Sequence, residues 1–186
     1  MGFLSFGSKR EKMKKLIEAE SFDEATAKAV KDKKSLQGLF ELLDDGNPGI
    51  VGDALLLLTN VVREKPEVVK PYMSAETFEK LVSFMESRNP YVRENAMILA
   101  YETVRRFPQL VSQNRKWILD TIAKGLREGG KDQKGFLLMV IGELGLHELR
   151  PAVEELVNVE DKVILPFEGK KWVKLGDIAR ETLEKL

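Results

Sequence analysis

A single imidazole, His147 beside Glu148, is all that this sequence offers for histidine chemistry. Metal centres that activate water or oxygen need several nitrogen and oxygen donors converging on one ion. One histidine therefore excludes the multi-histidine classes, and the pair reads more simply as polar residues in the turn after Gly145. The absence of cysteine removes disulfides, thiolate nucleophiles and thiolate metal sites. Paired carboxylates for hydrolysis could be drawn from Glu102 and Glu143. Carboxylates on exposed helix faces, however, lack the burial that separates an acid from a base. No catalytic residue, metal ligand or cofactor is assigned, and the chain reads as non-enzymatic.

Charge gives the next exclusion. Thirty acidic residues balance thirty basic ones, so the chain lacks the overall electrostatic footprint of a nucleic-acid binder. That role would need a local cluster, such as the lysines between 9 and 15 or those between 170 and 174. The N-terminal MGFLSFGSKREKMKK places Phe3, Leu4 and Phe6 before a basic run, but it has no signal-peptide apolar core. It matches a myristoylation motif only at Gly2, and one short segment anchors a protein to a membrane marginally at best. The longest apolar run, 136 to 141, is far short of the roughly 20 residues of a span. Abundant Lys and Glu, no Cys, and glutamine only at Gln37, Gln109, Gln113 and Gln133 form a pattern selected for heat. A soluble, cytoplasmic protein from a thermophile is expected.

The positioning elements come from a repeat. The stretch from 89 to 108, NPYVRENAMILAYETVRRFP, has an edited copy 42 positions earlier, NPGIVGDALLLLTNVVREKP. Asn, Pro, Ala, Leu, Val, Arg and Pro recur at Asn47/Asn89, Pro48/Pro90, Ala54/Ala96, Leu57/Leu99, Val62/Val104, Arg63/Arg105 and Pro66/Pro108. Leu36, Leu39 and Leu43 align at the same offset with Phe78, Leu81 and Met85, so the repeat includes a helix before each copy. A period in the low forties with helical apolar spacing marks stacked helix pairs, none of which buries its own face.

The expected organisation is one all-α domain over 1–186. Residues 1–34 form an N-terminal segment and helical cap, in which Ser21 and Glu24 make a capping box and Phe22, Ala25, Ala29 and Val30 face inward. Repeats follow at 35–70, 71–112 and 113–149. The third repeat drifts to an offset of 41, and its second helix, FLLMVIGELGL, is apolar nearly all round, as in a helix covered on both flanks. A fourth repeat, 150–186, is interrupted at 162–175 by apolar segments flanking Glu168-Gly169-Lys170-Lys171, which predict a β-hairpin. Trp117 and Trp172 read as packing residues first; Trp172 on the hairpin has the alternative role of an exposed anchor.

The pattern N-P-x-V-R-x-x-A, from Asn89 through Val92 and Arg93 to Ala96, resembles the turn and second helix of HEAT repeats, and V-I-G-E-L-G at 140–145 is similar to the small-residue end of that helix. The resemblance covers roughly 35–186. It implies a right-handed superhelix of antiparallel helix pairs and a role as a protein-binding scaffold. Val51 and Lys134 stand where the family's turn arginine belongs, which breaks any Asp–Arg ladder between repeats. Two enzyme classes of related fold set alternatives. Deoxyhypusine hydroxylases use several His-Glu pairs to hold two irons, and only His147-Glu148 exists here. DNA-alkylation-repair glycosylases line a concave face with basic and aromatic groups.

A helical wheel at about 100° per residue decides what the second helices present. Centring the buried face on Ala96, with Val92, Leu99, Ala100, Thr103 and Phe107, puts Glu94, Ile98, Tyr101, Glu102 and Arg105 opposite. The equivalent positions are Gly52, Leu56, Thr59, Asn60 and Arg63; then Gly135, Met139, Gly142, Glu143 and Leu146; then Asp177, Glu181, Glu184 and Lys185. An apolar row through Leu56, Ile98 and Met139 lies among Glu94, Glu102, Glu143, Asp177 and Glu181, and is either open to a partner or already covered by neighbouring helices. Such a surface suits a basic amphipathic helix or peptide and repels phosphate. The expected contacts are Arg63, Glu94, Ile98, Tyr101, Glu102, Arg105, Met139 and Glu143, with a protein or peptide partner and no small-molecule substrate.

Overall fold

Asn47 and Asn89 each cap a helix that a proline starts. In the computed structural model, which describes residues 8–167 and 171–186, the Asn47 side chain accepts from the Gly49 N–H at 2.9 Å. That of Asn89 accepts from Tyr91 and Val92 at 2.9 and 3.3 Å. The helices that follow, α4 (Pro48–Glu64) and α7 (Pro90–Arg106), are both 17 residues long. The Asn side chain satisfies N–H groups left over at a helix start, where a proline's missing N–H costs nothing. Each helix stops just before a second proline, Pro66 or Pro108, which opens a short helix of its own. The sequence repeat is thus a repeat of start and stop signals. The segments holding Phe3, Leu4 and Phe6 and Glu168 to Lys170 lie outside the described residues.

The chain forms two compact units, Met1–Tyr72 and Met73–Leu186. In the first, α1 (Lys9–Glu18), α2 (Phe22–Lys31) and α3 (Lys33–Glu41, continued by a 3-10 turn) pack with α4, and α5 (Pro66–Val69) follows. Ala25 and Ala29 are buried as expected, while Phe22 and Val30 are half-buried. The capping box at Ser21 is not formed, since the Ser21 side chain makes no capping bond. The reason is a competing signal. Glu20 takes a left-handed φ of 55°, closing α1 so that the Ser21 N–H donates to the Leu16 carbonyl at 2.9 Å. That is the N–H that Glu24 would have had to accept.

Asp45 ties α1 to the α3–α4 turn. Its side chain, only 4% exposed, accepts from Lys14 at 2.9 Å and Arg10 at 3.0 Å and from the Asn47 N–H at 2.9 Å. The Lys14 ammonium, the Asn47 N–H and the Arg10 charge hold the Asp45 carboxyl below the usual carboxylate range. Asp32 is held well below it by Lys9, the Ser35 hydroxyl and the Lys34 N–H. A depressed native pKa gives stability that is fully present above the unfolded value and is lost as pH falls through the native one. The urea midpoint should therefore stay level from neutral pH to about pH 5 and fall below about pH 4, with a smaller fall in Asp45→Asn. An equal fall in the variant would remove Asp45 from this role.

The second unit contains α6 (Ala75–Phe84), α7, α8 (Pro108–Gln113), α9 (Arg115–Glu128), α10 (Lys131–Leu144), α11 (Arg150–Glu154), the antiparallel strands β1 (Lys162–Ile164) and β2 (Trp172–Lys174), and α12 (Leu175–Lys185). The expected hairpin is present, paired Lys162↔Lys174, Val163↔Val173 and Ile164↔Trp172. Helix α10 is flanked by α9, α12, α7 and β1, with Phe136, Leu137, Leu138, Val140 and Ile141 fully buried. It ends at Gly145, whose φ of 59° is left-handed, a conformation glycine adopts without strain. Two buried side chains bond across to neighbouring helix backbones. Gln133 Nε2 donates to the Val82 carbonyl at 2.8 Å, and Thr182 Oγ1 to that of Leu138 at 2.9 Å. The fold is all-α, built of repeated helix pairs with a hairpin inserted in the last.

Candidate functional site

The buried side of the wheel holds on α7, where Val92, Ala96, Leu99, Ala100, Thr103 and Phe107 are all buried. The opposite side is less open than a wheel implies. Glu94, Ile98, Tyr101 and Glu102 are half-buried, as is Met139 on α10, while Arg105 and Glu143 are exposed. In the first unit Gly52 and Thr59 are buried, Leu56 and Asn60 half-buried, and only Arg63, near the end of α4, is exposed. There α1 and α2 pack on α4 as well as α3 does, covering a face the wheel left free. Gly135 and Leu146 are buried too.

In the second unit the hairpin and α12 cover this side of α10. Val163 is fully buried and sits over Gly135, where an added Cβ would come within 3.2 Å of its Cγ2. Beyond β1, Phe167 lays its ring 4.9 Å from that of Tyr101 and 6.2 Å from that of Phe136, centroid to centroid. The Arg105 guanidinium stands 5.2 Å from the Tyr101 ring centroid and 3.6 Å from the Glu143 carboxylate. Tyr101, Arg105 and Glu143 therefore do meet, joined by Phe167, which the wheel could not place.

Two cavities flank this contact. One of about 250 Å³ is lined by Met139, Leu165, Phe167, Val173 and Ile178, with Lys171, Glu181, Thr182 and Lys185. The other, about 270 Å³, is lined by Pro90, Met97, Ile164, Leu165 and Pro166, with Arg93, Glu94 and Asp132. Next to it Trp172, 64% exposed, stands across the strands from Ile164, 37% exposed. Lys131 Nζ lies 5.8 Å from the Trp172 ring centroid. The expectation that packing absorbs the tryptophans is overturned, since Trp117 is 43% exposed as well, its Nε1 donating to Glu79 at 3.1 Å. A three-residue strand pair has no partner layer outside it, so the outward-facing pair Ile164 and Trp172 stays in solvent. Leu165, Ile178 and Val173 were missed as site residues; the L-P-F run closing β1 signalled only Leu165.

The electrostatics differ from a plain acidic face. Glu102 accepts from Arg106 at 2.8 Å, Glu143 is paired with Arg105, Glu181 with Lys185 at 3.0 Å and Asp177 with Arg180 at 2.6 Å. A basic partner would have to displace cations already present, so the carboxylates no longer argue for one. Such mostly exposed pairs contribute little stability themselves. Glu148 takes a bidentate bond from Arg115, Nε at 2.7 Å and Nη2 at 2.9 Å. That bond holds the Glu148 carboxyl below its usual range and joins the start of α9 to the turn before α11. Among the described residues, no group of three or more His, Asp or Glu is placed to hold a metal, and no helix is long and apolar enough to cross a membrane.

The basic cluster of α1 is likewise engaged, with Lys9 on Asp32 at 2.8 Å and Arg10 and Lys14 on Asp45. On the hairpin Lys174 is bound to Glu160 at 2.6 Å, which raises its pKa. Lys131, Lys162 and Lys171 have no carboxylate partner among the described residues.

No family model matches the chain, and no curated protein matches it in sequence. Among solved structures it is similar to a designed armadillo repeat protein, at 16% identity and a TM-score of 0.51, over 95% of this chain and 86% of that one. Helix pairs started by capped prolines, a repeat period in the forties and this structural likeness agree: the chain has the armadillo/HEAT-like helical repeat fold.

Proposed function

We propose that the protein is a non-enzymatic scaffold that binds a protein or peptide through the face of its second unit where α7, α10 and the hairpin meet. Armadillo-like repeats are typical protein-binding scaffolds, and fold alone leaves the surface open. One observation carries the choice of surface. Of the five large hydrophobic residues exposed among those described, three (Ile164, Trp172 and Val173) belong to the hairpin, beside two apolar-lined cavities. Exposed apolar groups gathered in one place mark interaction sites, whereas scattered ones do not. Ile98, Tyr101, Arg105, Met139 and Glu143 are the helix contacts of this face, with Glu94 and Glu102 at its edge. Arg63 is in the other unit and is proposed separately as a contact on α4.

The test uses the full chain as bait in lysate of its source cells, in parallel with Ile98→Glu and Arg105→Glu, each checked for native helicity. A protein captured by the parent and depleted at least tenfold by both variants supports this surface. Equal recovery by parent and variants overturns it.

A further inference from the structure

We propose that the outward face of the hairpin docks an acidic segment of a partner protein, with one bulky apolar side chain of that segment entering the cavity beside Ile164. This rests on the protein-binding reading above and gives the partner's chemistry.

Side chains alternate along a strand. Because Val163 points inward onto Gly135, its neighbours Lys162 and Ile164 point outward, and the register puts Lys174 and Trp172 beside them. The outer face is therefore an apolar pair, Ile164 and Trp172, next to a basic pair, with Lys131 against the indole ring. The described charges here are Lys131, Lys162, Lys171 and Lys174 with Glu160 and Asp161 on the ribbon's side, Glu160 being bound to Lys174, and Arg93, Glu94 and Asp132 on the cavity wall. The two strands themselves carry Lys162 and Lys174 and no carboxylate, in a chain whose total charge is zero.

Each part has a use in recognition. Tryptophan is over-represented among residues that dominate binding energy, because its large rigid surface is fixed at low entropic cost. The cavity of about 270 Å³ exceeds the roughly 150 Å³ void that takes up benzene in an engineered protein, so it has room for a phenylalanine or leucine side chain. Unpartnered lysines select carboxylates and speed encounter.

A peptide can place carboxylates at the lysines and an apolar group at the cavity. A nucleic acid carries a charge at every nucleotide, so phosphates beside an inserted base would pass Glu94 and Asp132 on the cavity wall, whereas the peptide residues flanking the apolar one can be uncharged. Single-strand binding also draws on stacking of successive bases, and Trp172 is the sole aromatic ring on the outer face of the strands.

The test follows Trp172 fluorescence in the full chain carrying Trp117→Phe. The probes are a short peptide with a central Phe between uncharged residues and Glu and Asp at its ends, the same peptide with Gly in place of Phe, an oligothymidylate, and phosphatidylcholine–phosphatidylserine vesicles. Saturable binding of the Phe peptide is expected, weakened at least tenfold by the Gly replacement and by Lys131→Glu combined with Lys162→Glu. In Trp172→Ala, binding followed by calorimetry should fall by a similar factor. Equal affinity for the Phe and Gly peptides, no effect of the variants, or a response to the oligonucleotide or vesicles alone overturns the proposal. Lysate capture separates the two readings. Partner loss in Ile98→Glu with full retention in Trp172→Ala leaves the helix surface standing and removes the hairpin site, whereas retention in both removes both.

Discussion

Replacing Phe136 by alanine should lower the stability of the second unit by about 3–5 kcal/mol, the usual cost of deleting a fully buried aromatic side chain. Phe136 has no exposed surface and belongs to α10, against which α7, α9, α12 and β1 all pack. With helices on several sides the void cannot close by moving one neighbour, and incomplete collapse is what places a substitution at the upper end of its range. The ring also supports Phe167, so the loss should reach the hairpin. Urea denaturation followed by circular dichroism measures the effect, fitted without assuming that both units unfold in one step. Phe167→Ala, at a half-buried position, should cost clearly less. Equal losses would show that α10 is not the anchor of this unit.

Gly38→Ala should destabilise the first unit even though alanine is the better helix former. A Cβ at Gly38 would lie 2.8 Å from the Arg10 backbone nitrogen and 2.9 Å from the Lys9 carbonyl carbon. Both obstacles are main chain, so relief requires moving the start of α1 and, with it, the Arg10 and Lys14 bonds to Asp45. The propensity gain is about 1 kcal/mol. The overpacking penalty is about 1–3 kcal/mol and more when backbone must shift, so the clash wins and a net loss of about 1–2 kcal/mol is expected. Gly46→Ala is the control, since nothing lies within 4 Å of its would-be Cβ. A Gly38→Ala protein as stable as the parent would show that α1 can give way freely.

The features legible in the sequence were those decided within a few residues. Asn47-Pro48 and Asn89-Pro90 start helices because side chain and backbone satisfy each other locally, and the apolar spacing of α7 fixes its buried stripe. Ser21 shows the limit of local reading, because two valid local signals competed for one N–H and helix closure prevailed over helix start.

The candidate site was only half visible. Tyr101, Arg105 and Glu143 follow from angular position on paired helices, but what covers Tyr101 is Phe167, brought back by a strand pair that no wheel contains. The partners of Glu102 and Glu143 were equally hidden, since charge counts give composition and not pairing. On α4 the face was misread at Gly52 and Thr59 because whole helices, α1 and α2, pack there.

Helix interfaces made mostly of Leu, Val and Ala have a weakness, in that similar side chains recur every turn and one helix can slide along another at little cost. In the second unit the bonds from Gln133 to Val82 and from Thr182 to Leu138 oppose this. They lie on α10's contacts with two different neighbours, and each ends on one particular carbonyl. A slip by anything but a whole turn, about 5.4 Å, would carry each donor away from its carbonyl and leave it buried and unsatisfied at about 1–3 kcal/mol apiece. Apolar surface supplies the adhesion between these helices, and two hydrogen bonds supply the alignment that holds the hairpin opposite Tyr101.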